Sequence, residues 1–215
     1  MKIVYVVDVH EDYAAVERAV KAAGAPDLLI VGGDITTAGT ADEAALAVEA
    51  WLPLASRLLA VAGNMDSPAT DARLASLGVA LDGHGVVLGD VGVFGVSGGP
   101  KSPLHTPYEI TEEQIEARIE AGFDDVMNCR VKIFCPHAPP KDTACDRIHS
   151  GLHVGSTAVR TFIERAQPDL VLCGHIHESR GEDHIGRTRV VNPGPVSAGH
   201  YAVVEVGETL TVRLV

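Results

Sequence analysis

The chain has 215 residues, 46% apolar and 21% charged, enough to bury a sizeable core and incompatible with a disordered or low-complexity protein. Its formal charge of -12 argues against an extended nucleic-acid footprint, which needs a basic surface, but allows a small anionic substrate if cations reverse the field inside a cleft. No apolar run approaches the ~20 residues that span a bilayer, and the opening M-K-I-V-Y-V-V-D meets a carboxylate too early for a signal-peptide core, so one cytoplasmic domain over residues 1–215 is expected.

From the N-terminus, short apolar runs alternate with helical patterns: a strand over 3–7, a helix over 13–23, a strand over 28–31, a helix over 42–52 and a strand over 58–62. This is the pattern of a buried, largely parallel sheet. Each strand runs into a polar cluster: D-V-H, then G-G-D, then G-N-M-D. In open α/β sheets the ligand crevice lies at the carboxyl ends of the strands, so the three clusters should converge.

A short helix from Pro68 to Leu77 precedes two runs, 86–88 and 91–96, that read as a hairpin and suggest a change to antiparallel pairing, with Gly98-Gly99-Pro100 as a hairpin end. Thr111 is placed to cap a helix over 111–126, whose acidic face of Glu112, Glu113, Glu116 and Glu120 reads as solvated. A strand over 131–135 ends at Pro136-His137, a helix covers 157–166, and a strand over 170–173 ends at G-H-I-H. The β-rich stretch 187–215 reads as a second sheet. Cys129, Cys135, Cys145 and Cys173 show no C-x-x-C spacing and read as reduced core or near-core residues.

Taken together, the strand-end clusters hold Asp8, His10, Asp34, Asn64, His137, His175 and His177. Mixed imidazole and carboxylate donors suit a first-row divalent metal better than calcium or magnesium, which prefer oxygen cages. In D-V-H and H-I-H the polar residues stand two apart, which on an extended chain points both side chains to one face. Asp66 is a candidate for holding the Asn64 loop or an imidazole tautomer.

The ordered series D-V-H, G-G-D, G-N-M-D, P-H and G-H-I-H, spanning positions 8–177, resembles the calcineurin-like metallophosphoesterases. The segment S-G-L-H-V-G-S and the later N-P-G-P resemble those of a smaller subgroup of bacterial and archaeal phosphodiesterases. The resemblance implies an α/β fold, a four-layer αββα sandwich with two mixed sheets. It also implies two divalent ions, manganese favoured with iron, nickel or zinc as alternatives. One would be held by Asp8, His10, Asp34 and His177, the other by Asp34, Asn64, His137 and His175, with Asp34 bridging. Two such ions, ~3.5–4 Å apart, bring a bridging water toward pKa ~7 and present hydroxide for in-line attack on phosphorus.

One position departs from the family pattern. Many members carry a histidine directly after the metal-binding asparagine, where this chain has Met65, whose thioether cannot donate a proton. General acid catalysis contributes ~10²- to 10⁴-fold, so the substrate must have a good leaving group or another residue must protonate it. His84, His105, His184 and His200 read as solvated loop positions; His149 and His153 are candidates for the acid or a substrate contact, and Asn64 and Asn192 for substrate binding. The expected activity is hydrolysis of a small phosphodiester, a nucleotide among the candidates, with a phosphomonoester as the alternative. A non-catalytic interaction scaffold of the same fold is the reading from a different class. A nuclease is disfavoured by the acidic surface.

Overall fold

The computed structural model describes residues 1–215. In chain order the elements are β1 (Lys2–Val6), α1 (Tyr13–Ala23), β2 (Leu28–Val31), α2 (Ala41–Trp51), β3 (Arg57–Ala60), α3 (Pro68–Ser76), β4 (Gly85–Leu88), β5 (Val91–Val96), β6 (Gly99–Pro100), β7 (Glu109–Ile110), α4 (Glu112–Val126), β8 (Val131–Pro136), α5 (Thr157–Ala166), β9 (Leu170–Leu172), β10 (Gly181–Ile185), β11 (Thr188–Asn192), β12 (Ala202–Val206) and β13 (Leu210–Leu214). The helices begin where their sequences supply caps. Asp12, Thr40, Thr111 and Ser156 each accept a hydrogen bond from a first-turn amide, and Thr40 and Thr111 complete capping boxes with Glu43 and Gln114.

Two mixed sheets form the centre. The first has the order β13-β12-β1-β2-β3, with β1, β2 and β3 parallel as the alternating pattern requires, and β12 and β13 added antiparallel. The second has the order β10-β11-β9-β8-β5-β4. Its hairpin β4–β5 is antiparallel, as expected, but β5, β8, β9 and β11 then run parallel. The switch to antiparallel pairing is therefore local, because helices or long excursions carry the chain back between successive strands. The C-terminal stretch is not one sheet: β11 closes on β9, while β12 and β13 return to the edge of the first sheet.

Strand alternation decides the layers. Ile3, Tyr5 and Val7 of the first sheet meet Val93, Ile133 and Leu172 of the second in the core between them. The intervening residues face outward: Val4, Val6, Leu29 and Val31 lie under Val16, Val48 and Trp51 of α1 and α2. On the far side Phe94 and Phe134 stack at 4.7 Å beneath Phe162 of α5. The result is the expected αββα sandwich.

Two surface expectations change. The acidic face of α4 is not simply solvated: Glu112 accepts hydrogen bonds from Ser156 Oγ and from the amides of Thr157 and Ala158 at the start of α5, and Glu120 pairs with Arg165. Gly99 and Pro100 are not a hairpin end but strand β6, parallel to β7. No helix is long and apolar enough to cross a membrane.

Candidate metal centre

Every strand that feeds the site delivers its residues from its carboxyl end. The first sheet brings Asp8 and His10 after β1, Asp34 after β2 and Asn64 after β3; the second brings His137 after β8 and His175 and His177 after β9. All seven converge across the line where the two sheets meet.

They form two groups with one shared atom. Asp8, His10, Asp34 and His177 each present a donor atom, all within 4.8 Å of one another. His10 Nε2 lies 3.1 Å from His177 Nε2 and 3.6 Å from Asp34 Oδ2, and His177 Nε2 lies 3.8 Å from Asp8 Oδ2. In the second group His137 Nε2 is 3.5 Å from the same Asp34 Oδ2 and 3.0 Å from Asn64 Oδ1, which is 2.6 Å from His175 Nδ1. Metal–ligand bonds of about 2.0–2.2 Å place neighbouring donors about 3.0–3.5 Å apart, the range of the His10–His177, His137–Asn64 and His137–Asp34 separations, while Asn64 and His175 stand at hydrogen-bond distance.

Supporting contacts fix which atoms face inward. His137 Nδ1 donates to the Gly32 carbonyl at 2.8 Å, which turns Nε2 toward Asp34 and Asn64, where a bound ion would take the place of its proton. His10 Nδ1 is 3.0 Å from Thr37 Oγ1. The His175 amide donates to both oxygens of Asp8 at 3.1 and 3.2 Å, tying the second sheet to the first. Asp66, fully buried, accepts from the Ile35, Thr36 and Gly63 amides and from Thr36 Oγ1 at 2.8–3.1 Å. It holds the Asp34 and Asn64 loops together and touches no imidazole.

The backbone is strained where these side chains leave it. Asp8, His10, Asp34 and His175 have φ of 54°, 46°, 49° and 68°, a left-handed conformation costing on the order of 1 kcal/mol or more for each non-glycine residue. The D-V-H segment is therefore not extended, and the i, i+2 argument does not explain how Asp8 and His10 come to share a cluster; His175 and His177 go to different ones. Gly33 and Gly63 allow the close approach: a Cβ on Gly33 would lie 2.6 Å from His137 Nδ1, and one on Gly63 would collide with the Asp34 carboxylate.

The electrostatics suit a cation. Burial opposes a charge on His137, but the Asp34 carboxylate outweighs it and brings the imidazole up to about 9. Burial would raise Asp34, yet the charge and hydrogen bond of His137 and the Met65 amide hold it down at about 2. His175 is pushed down to about 4 by burial and by His137. Buried carboxylates that draw positive charge onto a neighbouring imidazole present the field that a divalent ion satisfies without a proton.

The remaining sequence candidates lie elsewhere. His149 is 89% exposed and 3.9 Å from Glu178, outside the cleft over the donors. His153 also does not line the cleft; its Nδ1 is held 2.6 Å from buried Asp146. Asn192 is buried, with Nδ2 donating to the Ile176 carbonyl and Oδ1 accepting from the Gly194 amide, so it braces the G-H-I-H loop. The cleft is instead lined by Lys101, Lys141 and Glu178, with Met65 on its wall beside Asn64. Lys141, after β8, obeys the strand-end rule that located the donors; Lys101 and Glu178 carry no sequence signal.

Residues 1–179 match the model of the calcineurin-like phosphoesterase family. The chain is 35% identical over 203 residues, 92% of its length and 89% of the other, to the uncharacterized protein MJ1162 of Methanocaldococcus jannaschii. Its fold is similar to that of TT1561 of Thermus thermophilus (TM-score 0.74, 21% identity, 99% of this chain and 97% of that one). It is also similar to that of a dimetal phosphatase from Danio rerio (TM-score 0.66, 13% identity, 100% and 95%). The order of the motifs, the layered fold and the matched residues agree: the chain belongs to the calcineurin-like phosphoesterase family.

Proposed function

We propose that the protein, acting as one domain, is a phosphodiesterase that holds two divalent ions, manganese favoured, and uses them to hydrolyse a small phosphoester. The observation that carries this reading is Asp34 Oδ2, which stands 3.6 Å from His10 Nε2 and 3.5 Å from His137 Nε2 and so faces both donor groups at once. Asp8, His10, Asp34 and His177 would hold one ion, and Asp34, Asn64, His137 and His175 the other. Such a pair supplies Lewis acidity that activates water near neutral pH and offsets the charge developing on phosphorus.

The chain's own residues do the rest. The hydrogen bond from His137 to Gly32 and the contact of His10 with Thr37 orient two imidazoles, and Asp66 sets the spacing of the Asp34 and Asn64 loops. Lys101 and Lys141 stand on the cleft wall beside Glu109, Glu112 and Glu178, and their ammonium groups would contact an anionic ester at the site. The absence of an acid at Met65 favours an ester with a good leaving group, which supports bis-aryl diesters as first substrates.

The test combines metal analysis with turnover. Reconstituted with manganese, the protein should bind about two ions per chain and hydrolyse bis-p-nitrophenyl phosphate faster than p-nitrophenyl phosphate, and His137→Ala should retain about one ion. Inactivity on both esters with every divalent metal, or an ion content far below two, would sink the proposal. A faster monoester reaction would reverse the assigned preference.

A further inference from the structure

The cleft over the donors, about 790 Å³, has an apolar wall that metal binding does not require. Two loops build it. The segment between β6 and β7 contributes Pro103 and Leu104, and the segment between β8 and α5 contributes Ile148 and Val154. Met65 and Ile176 continue the apolar lining down to Asn64 and His175. Leu104 is 81% exposed, so the fold leaves it uncovered.

Neither loop is loose. Glu109 accepts from Ser102 Oγ at 2.6 Å, from the Thr106 amide at 2.9 Å, from Thr106 Oγ1 at 3.0 Å and from the Ser102 amide at 3.2 Å. Ser102 Oγ also receives the Leu104 amide at 3.1 Å. Across the cleft, buried Asp146 accepts from the amides of Asp142, Thr143 and Gly155 at 2.8–3.0 Å and is 2.6 Å from His153 Nδ1. The loop closes on itself through Ile148 N and the Leu152 carbonyl at 3.0 Å. Two carboxylates thus act as hubs that hold apolar side chains out over the site. The ordering cost of such a surface is met in folding, which leaves its contact area available to a ligand.

We infer that the cleft takes a phosphoester with one apolar organic arm, aliphatic or aromatic, seated between Leu104 and Ile148 while its phosphoryl group meets the metal donors. The inference rests on the metal-site reading above and adds the chemistry of the arm. A phosphoryl group at the donors engages Asp34, Asn64 and the histidines; it leaves Leu104, Ile148 and Val154 in water, where only an apolar group gains by covering them. The position of Met65 fits: where the family carries a histidine, this chain continues the apolar surface to the ligand shell.

Non-hydrolysable alkylphosphonates separate the arm from the chemistry and from the leaving group. Calorimetric titration of the manganese-loaded protein with methylphosphonate and hexylphosphonate should show the hexyl compound binding at least about tenfold more tightly, since each fully covered methylene contributes roughly a factor of four. Leu104→Ser and, separately, Ile148→Ser should bring that ratio down to about threefold or less with methylphosphonate affinity unchanged. Leu104 lies on the surface, so its variant tests the wall without disturbing the core. Equal affinity for the two phosphonates in the wild type, or a ratio untouched by both variants, overturns the inference. Failure of both compounds to bind the ion-loaded protein also overturns the inference, and a protein that takes up no manganese overturns the metal reading and the inference with it.

Discussion

The amide of Met65 donates to Asp34 Oδ1 at 2.7 Å, so the residue standing where many relatives have a histidine serves the site through its backbone. This bond occupies one oxygen of Asp34 and leaves Oδ2 to face both donor groups. The side chain of Met65 is then free to differ, and here it lines the cleft.

Met65→His should therefore preserve the Asp34 contact while adding a proton donor beside Asn64. The expected effect is selective: turnover of alkyl esters, whose leaving groups need protonation, should rise by about tenfold or more, while p-nitrophenyl esters change little. The ratio of the two rates in wild type and variant is the measurement. An equal change in both would show that position 65 does not govern leaving-group protonation.

Asp66→Ala would strip the acceptor from three buried amides, those of Ile35, Thr36 and Gly63. Each stranded donor costs about 1–3 kcal/mol, so the variant should lose on the order of 3 kcal/mol or more, read as a lower urea midpoint. Because the same bonds set the spacing of the Asp34 and Asn64 loops, metal affinity in the folded variant should fall about 10- to 100-fold by calorimetry. A stability loss with metal affinity intact would confine Asp66 to folding alone.

Asp71 is a titrating group that makes no hydrogen bond to a metal donor. Burial, with the charge of Asp82 adding to it, raises its carboxyl from 3.8 to about 6, against hydrogen bonds from Tyr108 OH at 2.5 Å and Ser97 Oγ at 2.7 Å. The folded state then binds this proton more tightly than the unfolded state. Its contribution to stability is fully present below pH about 4, falls as pH rises, and is gone above about 6; the full swing is on the order of 3 kcal/mol. Relative to wild type, Asp71→Asn should gain stability between pH 4.5 and 7, measured by urea unfolding at each pH. A difference between the two proteins that does not vary with pH would refute the assignment.

Much of the candidate site was legible in the chain because strand ends punctuate it. The runs before Asp8, Asp34, Asn64, His137 and His175 are apolar and short, the residues after them are polar, and parallel strands bring such ends to one edge. His149, His153 and Asn192 carried the same kind of signal, an unusual residue in a Gly- or Pro-rich loop, but such residues brace loops as readily as they meet ligands. Only the position of Asp146 beside His153, and of the Ile176 carbonyl beside Asn192, distinguishes the two roles.

By itself the sequence determined the order and type of most elements, through hydrophobic period and caps, and the identity of the candidate donors, through the polar clusters at strand ends whose order resembles a known family. The resemblance also implied how those donors divide; the tertiary structure decided which atom, Asp34 Oδ2, stands between the two groups, which backbone positions turn left-handed to aim the donors, and what else surrounds the cleft. The physical reason is that these placements depend on contacts between two sheets whose pairing joins residues far apart in the chain. His175 N meets Asp8 across 167 positions, and Leu104 meets the cleft only because Glu109 folds its loop there.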